Sequence, residues 1–411
     1  MNMSIRRYLD ENTDYLMEVL RDLIAFETVA PPGKCYPEVV DYLIPKFQDM
    51  GFRTDRIVMP QEVFEAKRRD SRLFGERVNL RARLDVGAEE TLAIYTHLDV
   101  VPAGTGWSSD PFVLDIREGR AFGRGVCDSK GAVAGLVAAL KAVMEAGHPK
   151  YNLEVLLTTD EEVGGYSGLC YLTDEGLVRG DKMLCMDTTS DDVVIGNNGL
   201  VTWEITVRGT AAHSGASFMG ENAIEKAVPV MAALLDLKAD IESRKSNLPA
   251  NSSLKELGID RLMPILNITM INGGIKENIV PDRCVLKGDR RVIPEETMEG
   301  AMEEMEKMIA SLESPPELRF HPGYPPMSID PDHPWVAEVR DAVRTATGRE
   351  MLVSGMQGTI DQAYATKVTG IPSCVYGVGR QIESNIHSPD ENVRISDLCD
   401  YPKFLAALIA G

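Results

Sequence analysis

The sequence is short of basic residues, and this shortage already argues against some classes of partner. Its 411 residues include 43 Lys and Arg against 63 Asp and Glu, a formal net charge of −20. Because phosphate contacts need clustered cations, we predict neither a nucleic-acid partner nor docking on anionic membranes. The acidic surplus fits cation binding as well as plain solubility, and charge alone leaves both open.

Cysteine, histidine and long apolar runs are also scarce. The seven cysteines are scattered without a Cys-x-x-Cys pair, which argues against a disulfide framework or a thiolate zinc site. No apolar run approaches the ~18–20 residues that span a bilayer, and the N-terminal segment lacks the apolar core of a secretory signal. We therefore predict a cytoplasmic protein. Any imidazole chemistry must use some of the six histidines, which are His97, His148, His213, His321, His333 and His387.

The first half of the chain alternates strand-like and helix-like stretches. Strands are predicted over 92–96, 153–159 and 183–186, and again over 371–376. A helix of small residues is predicted over 131–147, between the first two strands. Because both faces of the strand segments are largely apolar, we expect them to lie between helices. This alternation predicts an α/β layer architecture.

After Gly199 the pattern changes to the order β-α-β-β-α-β. The predicted strands are 201–207, 264–271, 283–289 and 317–320, and the predicted helices are 221–242 and 295–312. This order is typical of a ferredoxin-like unit. We predict an inserted domain over 198–326, with 244–260 as a polar loop, inside a main domain formed by 1–197 and 327–411.

The first candidate site is His97 with Asp99, directly after a predicted strand. Two residues apart in extended backbone, both side chains point to the same side. A carboxylate there can accept the second ring N–H of a metal-bound imidazole and fix its tautomer. A strand-end histidine beside a capping aspartate explains the pair equally well.

The second candidate is Asp128, in a glycine-rich segment that leads into the small-residue helix. The glycine spacing matches neither a P-loop nor a dinucleotide fingerprint, which argues against phosphate binding there. Asp128 is either a helix N-cap or a carboxylate held firmly enough to bridge two cations.

More acids and one histidine follow later predicted strands. Asp160, Glu161 and Glu162 come after the second strand, Asp187 after the third, and His387 after the last. Each could be a solvated or structural residue. Sites in α/β proteins form beyond the carboxyl ends of strands, and together these side chains supply nitrogen and oxygen ligands suited to Zn²⁺, Co²⁺ or Mn²⁺. Two imidazoles and three carboxylates suffice for two metals that share one bridge.

A series of motifs in a fixed order carries a resemblance that covers nearly the whole chain. The motifs are THLDVVP, WSSDPF, GRGVCDSKG, TTDEEVGG, GTAAHSG, ENIVP, GDRR, QGTIDQAY and HSPDENV. With them the sequence resembles the M20 metallopeptidase family, which includes acetylornithine deacetylase, succinyl-diaminopimelate desuccinylase, aminoacylase and glutamate carboxypeptidase. The resemblance implies a zinc-aminopeptidase-like three-layer catalytic domain with an inserted ferredoxin-like lid and dimerisation domain.

The resemblance also assigns roles to residues. It implies two divalent metal ions, Zn²⁺ in the first place with Co²⁺ or Mn²⁺ as options, and a cis peptide after Asp128. Glu161 would be the general base and Asp99 the partner of His97. The metal ligands would be His97 and Asp187 for one ion, Glu162 and His387 for the other, and Asp128 as the bridge. His213 would reach the active site of a partner subunit, while Arg291, Asn278 and Gly358 would bind a substrate carboxylate, with Arg290 as a competitor of Arg291.

The function predicted from these residues is hydrolysis of an amide C–N bond in an N-acyl amino acid or short peptide. The substrate would be a small molecule with a free carboxylate, and the protein a homodimer formed through the insert. The segment Asn197-Asn198-Gly199-Leu200 stands where desuccinylase-like members carry a basic residue, so a second substrate carboxylate is not expected. The alternatives are hydrolysis of an aromatic-amine or carbamoyl C–N bond, a catalytically silent metal or amino-acid scaffold, and a nucleotide-dependent enzyme.

Overall fold

Most of the first half of the chain belongs to the main domain. The computed structural model of the protein describes residues 2–68, 70–164, 166–187 and 190–410. In chain order, the first elements are α1 (Met3–Glu11), α2 (Thr13–Ala25), α3 (Tyr36–Asp49), β1 (Arg53–Val58), α4 (Gln61–Lys67), β2 (Val78–Leu84), β3 (Thr91–His97), β4 (Asp115–Arg117), β5 (Arg120–Phe122), α5 (Lys130–Ala146), β6 (Asn152–Thr158), α6 (Leu169–Asp174), β7 (Lys182–Cys185) and β8 (Val193–Asn197).

The insert follows, and the chain then returns to the main domain. The elements of the insert are β9 (Gly199–Arg208), β10 (Ala212–His213), α7 (Ala223–Glu242), α8 (Ser252–Glu256), β11 (Ile265–Gly273), β12 (Ile279–Val280), β13 (Arg283–Val292), α9 (Met298–Ala310) and β14 (Glu317–Pro322). The returning elements are β15 (Met327–Ser328), α10 (Pro334–Thr347), β16 (Val353–Met356), α11 (Gln362–Thr369), β17 (Ser373–Val375), β18 (Asn392–Arg394) and α12 (Ile395–Ile409).

A single large sheet organises the main domain. Its strand order in the described chain is β1-β2-β6-β3-β7-β17-β8-β15, with β16 paired to β8. The central strands β6, β3, β7 and β17 are parallel to their neighbours in that group, so their carboxyl ends lie at one edge. The strands 92–96, 153–159, 183–186 and 371–376 predicted above are these four, which confirms them within a few residues.

Helices cover both faces of this sheet. One apolar core lies under α1, α2, α3, α5, α10 and α12, and another under α4, α6 and α11. The small side chains of α5 permit close packing, and a Cβ at Gly135 would lie 2.8 Å from the ring of Tyr401. These helix, sheet and helix layers confirm the predicted three-layer α/β architecture.

The insert forms its own four-stranded antiparallel sheet, in the order β11-β13-β9-β14. α7 and α9 pack on one face, and Trp203, Ile205, Leu286 and Met305 are among the residues buried between them. Apart from the short elements β10, α8 and β12, the insert runs β9, α7, β11, β13, α9 and β14, which confirms the predicted ferredoxin-like order.

The segment predicted as a polar loop over 244–260 contains the helix α8, so that prediction is wrong in part. Asn251 starts the helix because its side-chain oxygen accepts the backbone N–H of Leu254 at 3.0 Å. Leu248, Ala250 and Leu262 pack into the core of the main domain. This part of the insert therefore rests on the main domain. No helix in the described residues is long and apolar enough to cross a membrane.

Candidate active site

The loops that carry the predicted metal ligands meet at the carboxyl edge of the main sheet. His97 is the last residue of β3, and the turn Glu161–Val163 begins three residues after β6 ends. Tyr95 lies opposite Cys185 in the parallel pair β3–β7, so Asp187 follows β7 at the level of His97. Parallel strands place their carboxyl ends together, which is why distant motifs converge here.

Four of the predicted ligands touch one another. His97 Nε2 lies 2.9 Å from Asp128 Oδ1, and His387 Nε2 lies 3.1 Å from Asp128 Oδ2. His387 Nε2 is also 3.0 Å from Glu162 Oε2. One ligand atom from each of His97, Asp128 and Glu162 falls within 4.8 Å of the others. Asp128 thus presents one carboxylate oxygen to each histidine, as a bridging ligand would. The Asp128–Ser129 peptide is cis, as the resemblance implied.

The protonation of these groups reflects their mutual contacts. Hydrogen bonds with Asp128 and Glu162 raise the pKa of His387 to about 11. Burial would lower the pKa of His97, but its bond with Asp128 and the nearby Asp99 carboxylate raise it well above the ordinary value. Burial raises the pKa of Glu162 to about 7, assisted by the charge of Asp128. Without metal, protons are therefore shared between the imidazole and carboxylate groups of this cluster. A bound cation would replace these protons and contact the same nitrogen and oxygen atoms.

Asp99 links the histidine strand to the turn that carries the glutamates. Its two carboxylate oxygens accept the backbone N–H groups of Glu161 and Glu162, each at 3.1 Å. The Nδ1 atom of His97 lies 3.0 Å from the Asp99 carbonyl oxygen and 3.6 Å from its carboxylate. The closer partner of the imidazole is therefore the carbonyl, whereas the sequence prediction used the carboxylate. The carboxylate instead holds the Glu161 turn in place.

Glu161 sits among other acids. Burial raises the pKa of its carboxyl well above the ordinary value, and the charges of Asp361 and Asp187 add to the rise. Asp187 is itself 5% exposed. An elevated pKa suits a group that accepts a proton and then returns it.

The sequence reasoning missed Glu391, which is buried and ties two ligand loops together. Its carboxylate accepts the backbone N–H groups of Gly125, Cys127 and Asp128 at 2.9–3.1 Å. It also accepts from Arg124 Nη1 at 2.7 Å. Because Glu391 follows His387 by four residues, it joins the His387 loop to the Asp128 loop. Its place in the HSPDENV motif was the one available signal.

The turn with Glu161 has a second buried support that the sequence did not reveal. Asp160, at a φ of 69°, accepts from Arg77 Nε at 2.7 Å and from the Tyr36 hydroxyl at 2.7 Å. The Arg77 side chain is fully buried, and its centre lies 4.4 Å from the ring of Phe64. An aspartate in the left-handed region is strained, and these contacts hold it there. Asp361 is a further missed acid, and it accepts from the Tyr95 hydroxyl at 2.5 Å.

Two predicted site residues of the insert lie on the short ladder between β10 and β12. His213 is exposed, and its Nδ1 accepts the backbone N–H of Gly215 at 3.0 Å. The backbone carbonyl of Asn278 accepts from Ser214 at 3.0 Å, and its side-chain oxygen is buried without a hydrogen-bond partner among the described residues. These bonds stay within the insert. Among the described residues of the single chain, no contact joins His213 or Asn278 to the His97 cluster.

Arg290 and Arg291, the two candidates for the substrate carboxylate, differ in exposure and in partners. The Arg290 side chain is fully buried and bonds the carboxylate of Glu296 at 2.9 Å. The Arg291 side chain is 30% exposed, and its Nη1 donates to Thr359 Oγ1 at 3.1 Å. Thr359 follows Gly358, so the insert presents Arg291 beside the main-domain loop that was predicted to bind the same carboxylate. Arg290 serves the packing of the insert.

Comparisons with known proteins agree with this arrangement. A family model described as Peptidase family M20/M25/M40 matches residues 93–411. A succinyl-diaminopimelate desuccinylase of Acidovorax ebreus is 28% identical over 389 residues, which cover 92% of this chain and 92% of that protein.

Two solved structures share the fold. An M20 family metallo-carboxypeptidase of Sulfolobus solfataricus has a TM-score of 0.76 at 19% identity, covering 96% of this chain and 98% of that chain. A Bacillus subtilis protein described as a dinuclear metal-binding peptidase of the same family has a TM-score of 0.62 at 14% identity, covering 98% and 97%.

Proposed function

The chain belongs to peptidase family M20/M25/M40, and from this premise we propose how its residues carry out the reaction. It is a metal-dependent hydrolase that acts on amide C–N bonds, as the sequence predicted. Its proposed substrate is an N-acyl amino acid or short peptide with a free carboxylate. The observation that carries this proposal is the contact of His97, Asp128, His387 and Glu162 beside Glu161.

The proposed cofactor is a pair of divalent ions, with Zn²⁺ as the first choice and Co²⁺ or Mn²⁺ as options. His97 and Asp187 would hold one ion, Glu162 and His387 the other, and Asp128 both. The donor set fits, because imidazole and carboxylate are ligands of these metals and Asp128 already faces two imidazoles. Bound ions would supply a water of lowered pKa and polarise the scissile carbonyl.

In the proposed reaction Glu161 moves the proton. Its carboxylate takes the proton of the attacking water and gives it to the leaving amine as the C–N bond breaks. Asp99 fixes the backbone of Glu161 and Glu162, so the base and a ligand keep their relative position. The buried Arg77–Asp160 pair holds the start of the same turn. The reaction requires no side-chain nucleophile, and we assign no catalytic role to the cysteines.

Arg291, Asn278 and Gly358 are proposed to bind the substrate carboxylate. A guanidinium recognises a carboxylate with two parallel hydrogen bonds, and Arg291 is the exposed arginine of its pair. The backbone N–H of Gly358 has no partner among the residues described and is available to the same group. Asn198 donates to the Met263 carbonyl at 3.0 Å and carries no charge, so a second carboxylate, as in a succinyl group, is not part of the proposal.

We propose a homodimer formed through the insert, with His213 completing the site of the partner chain. Exposed apolar residues are concentrated in the insert. Ile224, Val228 and Leu235 share one face of α7, and Met270 and Ile271 lie on β11, an edge strand of the insert sheet. Exposed apolar patches and free strand edges are typical of protein interfaces. A partner chain that covers the insert would explain why His213, a proposed site residue, is exposed in the single chain.

The test is an activity panel on the purified protein, with Zn²⁺, Co²⁺ or Mn²⁺ added to chelator-treated samples. The substrates are N-acetyl, N-succinyl and N-carbamoyl amino acids and dipeptides. We expect metal-dependent release of a free amine from an amide substrate, and two ions per chain by elemental analysis. Turnover of the carbamoyl compounds alone would favour that alternative. Full metal loading without turnover of any substrate would support the silent scaffold and overturn the proposal.

A further inference from the structure

A polar cavity lies at the opposite edge of the main sheet from the candidate metal ligands. Its volume is about 540 Å³, and its lining includes Thr91 and Asn152, the first residues of β3 and β6. β3 leads from Thr91 to His97 in six residue steps of ~3.3 Å, so the two sites are about 20 Å apart. The cavity is therefore separate from the site of hydrolysis.

Four arginines line this cavity, namely Arg53, Arg81, Arg83 and Arg179, against two acids, Asp85 and Glu154. Arg53 and Arg179 are exposed, and neither makes a side-chain hydrogen bond or ion pair with the rest of the described chain. A chain with a net charge of −20 thus gathers surplus positive charge around one depression. Such a concentration of guanidinium groups attracts anions.

The sheet register forces the arginines together. Arg53 on β1 lies directly opposite Arg83 on β2, and Arg81 is two residues away on the same face. Like charges in directly opposed positions are unfavourable unless a counter-charge intervenes. Asp55 bonds Arg83 at 2.7 Å and Glu154 bonds Arg81 at 2.5 Å. These acids offset Arg81 and Arg83, and the charge of Arg179 also acts on Glu154. Arg53 forms no ion pair with a described acid.

Buried donors beneath the cavity are also unsatisfied. The Arg81 side chain is 5% exposed, and its Nη2 is buried without a hydrogen-bond partner in the described structure. The Nε atom of Arg83 is likewise buried without a hydrogen-bond partner among the described residues. Leaving buried donors of a charged group unpaired is costly, so these atoms indicate a site that an acceptor-rich ligand completes.

We propose that this cavity is an anion site and that it takes a phosphate group, either free or carried by a small organic molecule. With Asp55 on Arg83 included, four arginines face three acids, so a positive surplus remains to attract the −1.5 to −2 charge of a phosphate ester near neutral pH. Its oxygens supply several acceptors for guanidinium donors that approach from different strands. Thr91 and Asn152 contribute polar lining, and the volume leaves room for an attached organic group.

The experiment measures phosphate binding by calorimetry on the full chain, both loaded with metal and stripped of it by chelation. The stripped sample separates binding in this cavity from binding to active-site metal. The test variant is Arg53→Gln with Arg179→Gln, and the matched control is Arg72→Gln with Arg319→Gln, two exposed arginines outside the cavity. We expect saturable binding that survives chelation and weakens at least about tenfold in the test variant only.

The ligand series distinguishes the sources of phosphate. Inorganic phosphate, glycerol 3-phosphate and succinate are titrated in parallel at equal ionic strength. Tighter binding of the ester than of inorganic phosphate identifies an organic ligand, and equal binding identifies the free ion. Equal binding of succinate, equal binding by the test variant, or no saturable binding after chelation would each overturn the proposal. Because hydrolysis of amides is measured separately, failure here leaves the proposed function untouched.

Discussion

The main domain and the insert hold their candidate functional residues in different ways. In the main domain, His97, Asp128 and Glu162 are shielded from solvent, and His387, although its side chain is 50% exposed, contacts both Asp128 and Glu162. In the insert, His213 is exposed and Arg291 is partly exposed, and neither contacts that cluster in the single chain. The difference teaches that one chain brings four of the candidate metal ligands together alone. The proposed roles of His213 and Arg291 require a substrate or a partner chain in addition.

The largest expected effect comes from replacing Glu161, the proposed general base of the main domain. Glu161→Gln should lower kcat by about 10²–10⁴, because the proton acceptor is lost while its shape is kept. Metal content by elemental analysis should stay at the parent value, since Glu161 is not assigned as a ligand. Near-full turnover in a variant that retains its metal would show that the base is a different residue.

The role of the insert is tested by mixing subunits. His213→Ala should lower kcat by about 10²–10³, as expected when a group that stabilises the reacting oxygen is removed. A refolded equal mixture of His213→Ala and Glu161→Gln chains should recover about a quarter of the parent activity, because half the dimers are mixed and each has one complete site.

The proposed dimer interface on α7 is tested by placing a charge in it. Val228→Glu should yield monomers by light scattering, whereas Val368→Glu, at an exposed position of the main domain, should not. A mixture that recovers no activity would place the action of His213 within its own chain. A Val228→Glu protein that stays dimeric would move the interface away from α7.

Glu391→Gln tests whether the main domain positions its ligands through buried bonds. The amide can no longer accept all the backbone N–H groups of the Asp128 loop, and metal affinity should fall by about 10–100-fold. The matched control is Glu383→Gln in the same loop, whose carboxylate bonds Arg394 at 2.6 Å and not the Asp128 loop. Competition with a chelating dye measures the affinity. A lower melting temperature with unchanged affinity would mean that Glu391 supports the fold alone.

The smallest expected effect concerns Asp361 and pH. Burial raises the pKa of its carboxyl from 3.8 to about 7. Between these values the folded chain holds a proton that the unfolded chain has released, so stability falls as pH rises. Asp361→Asn should therefore stabilise the metal-free protein at pH 8 by about 1 kcal/mol, with a smaller gain at lower pH.

Urea unfolding of chelated samples at several pH values measures this effect. The control is Asp341→Asn, whose side chain is 63% exposed and pairs with Arg344 on the surface of α10. The effect of Asp341→Asn on the free energy of unfolding should not depend on pH in the same way. A loss of stability at pH 8 in Asp361→Asn would show that the charged form is the favoured one in the fold.

Much of the candidate site was predictable because three of its ligand motifs follow recognisable strands directly. His97, Glu162 and Asp187 come shortly after apolar runs, and parallel strands place such positions at one edge. Glu391 and Arg77 were not predictable in this way. Their roles depend on hydrogen bonds to backbone groups or to a carboxylate far away in sequence, and neither hydropathy nor spacing records such partners. The proposed choice of Arg291 over Arg290 also needed the alternation of β13, which buries Arg290 and leaves Arg291 partly exposed.

The sequence by itself determined the order of the main elements, the insert and the candidate nitrogen and oxygen ligands, because periodicity and residue type are local properties. The tertiary structure alone decided which atoms meet. It paired Asp128 with two histidines, tied the His387 loop to the Asp128 loop through Glu391, and opposed Arg53 to Arg83 across a strand pair. The scarcity of basic charge seen in the composition is real, yet folding concentrates four arginines in one cavity. Composition averages over the chain, whereas binding depends on distances that only packing determines.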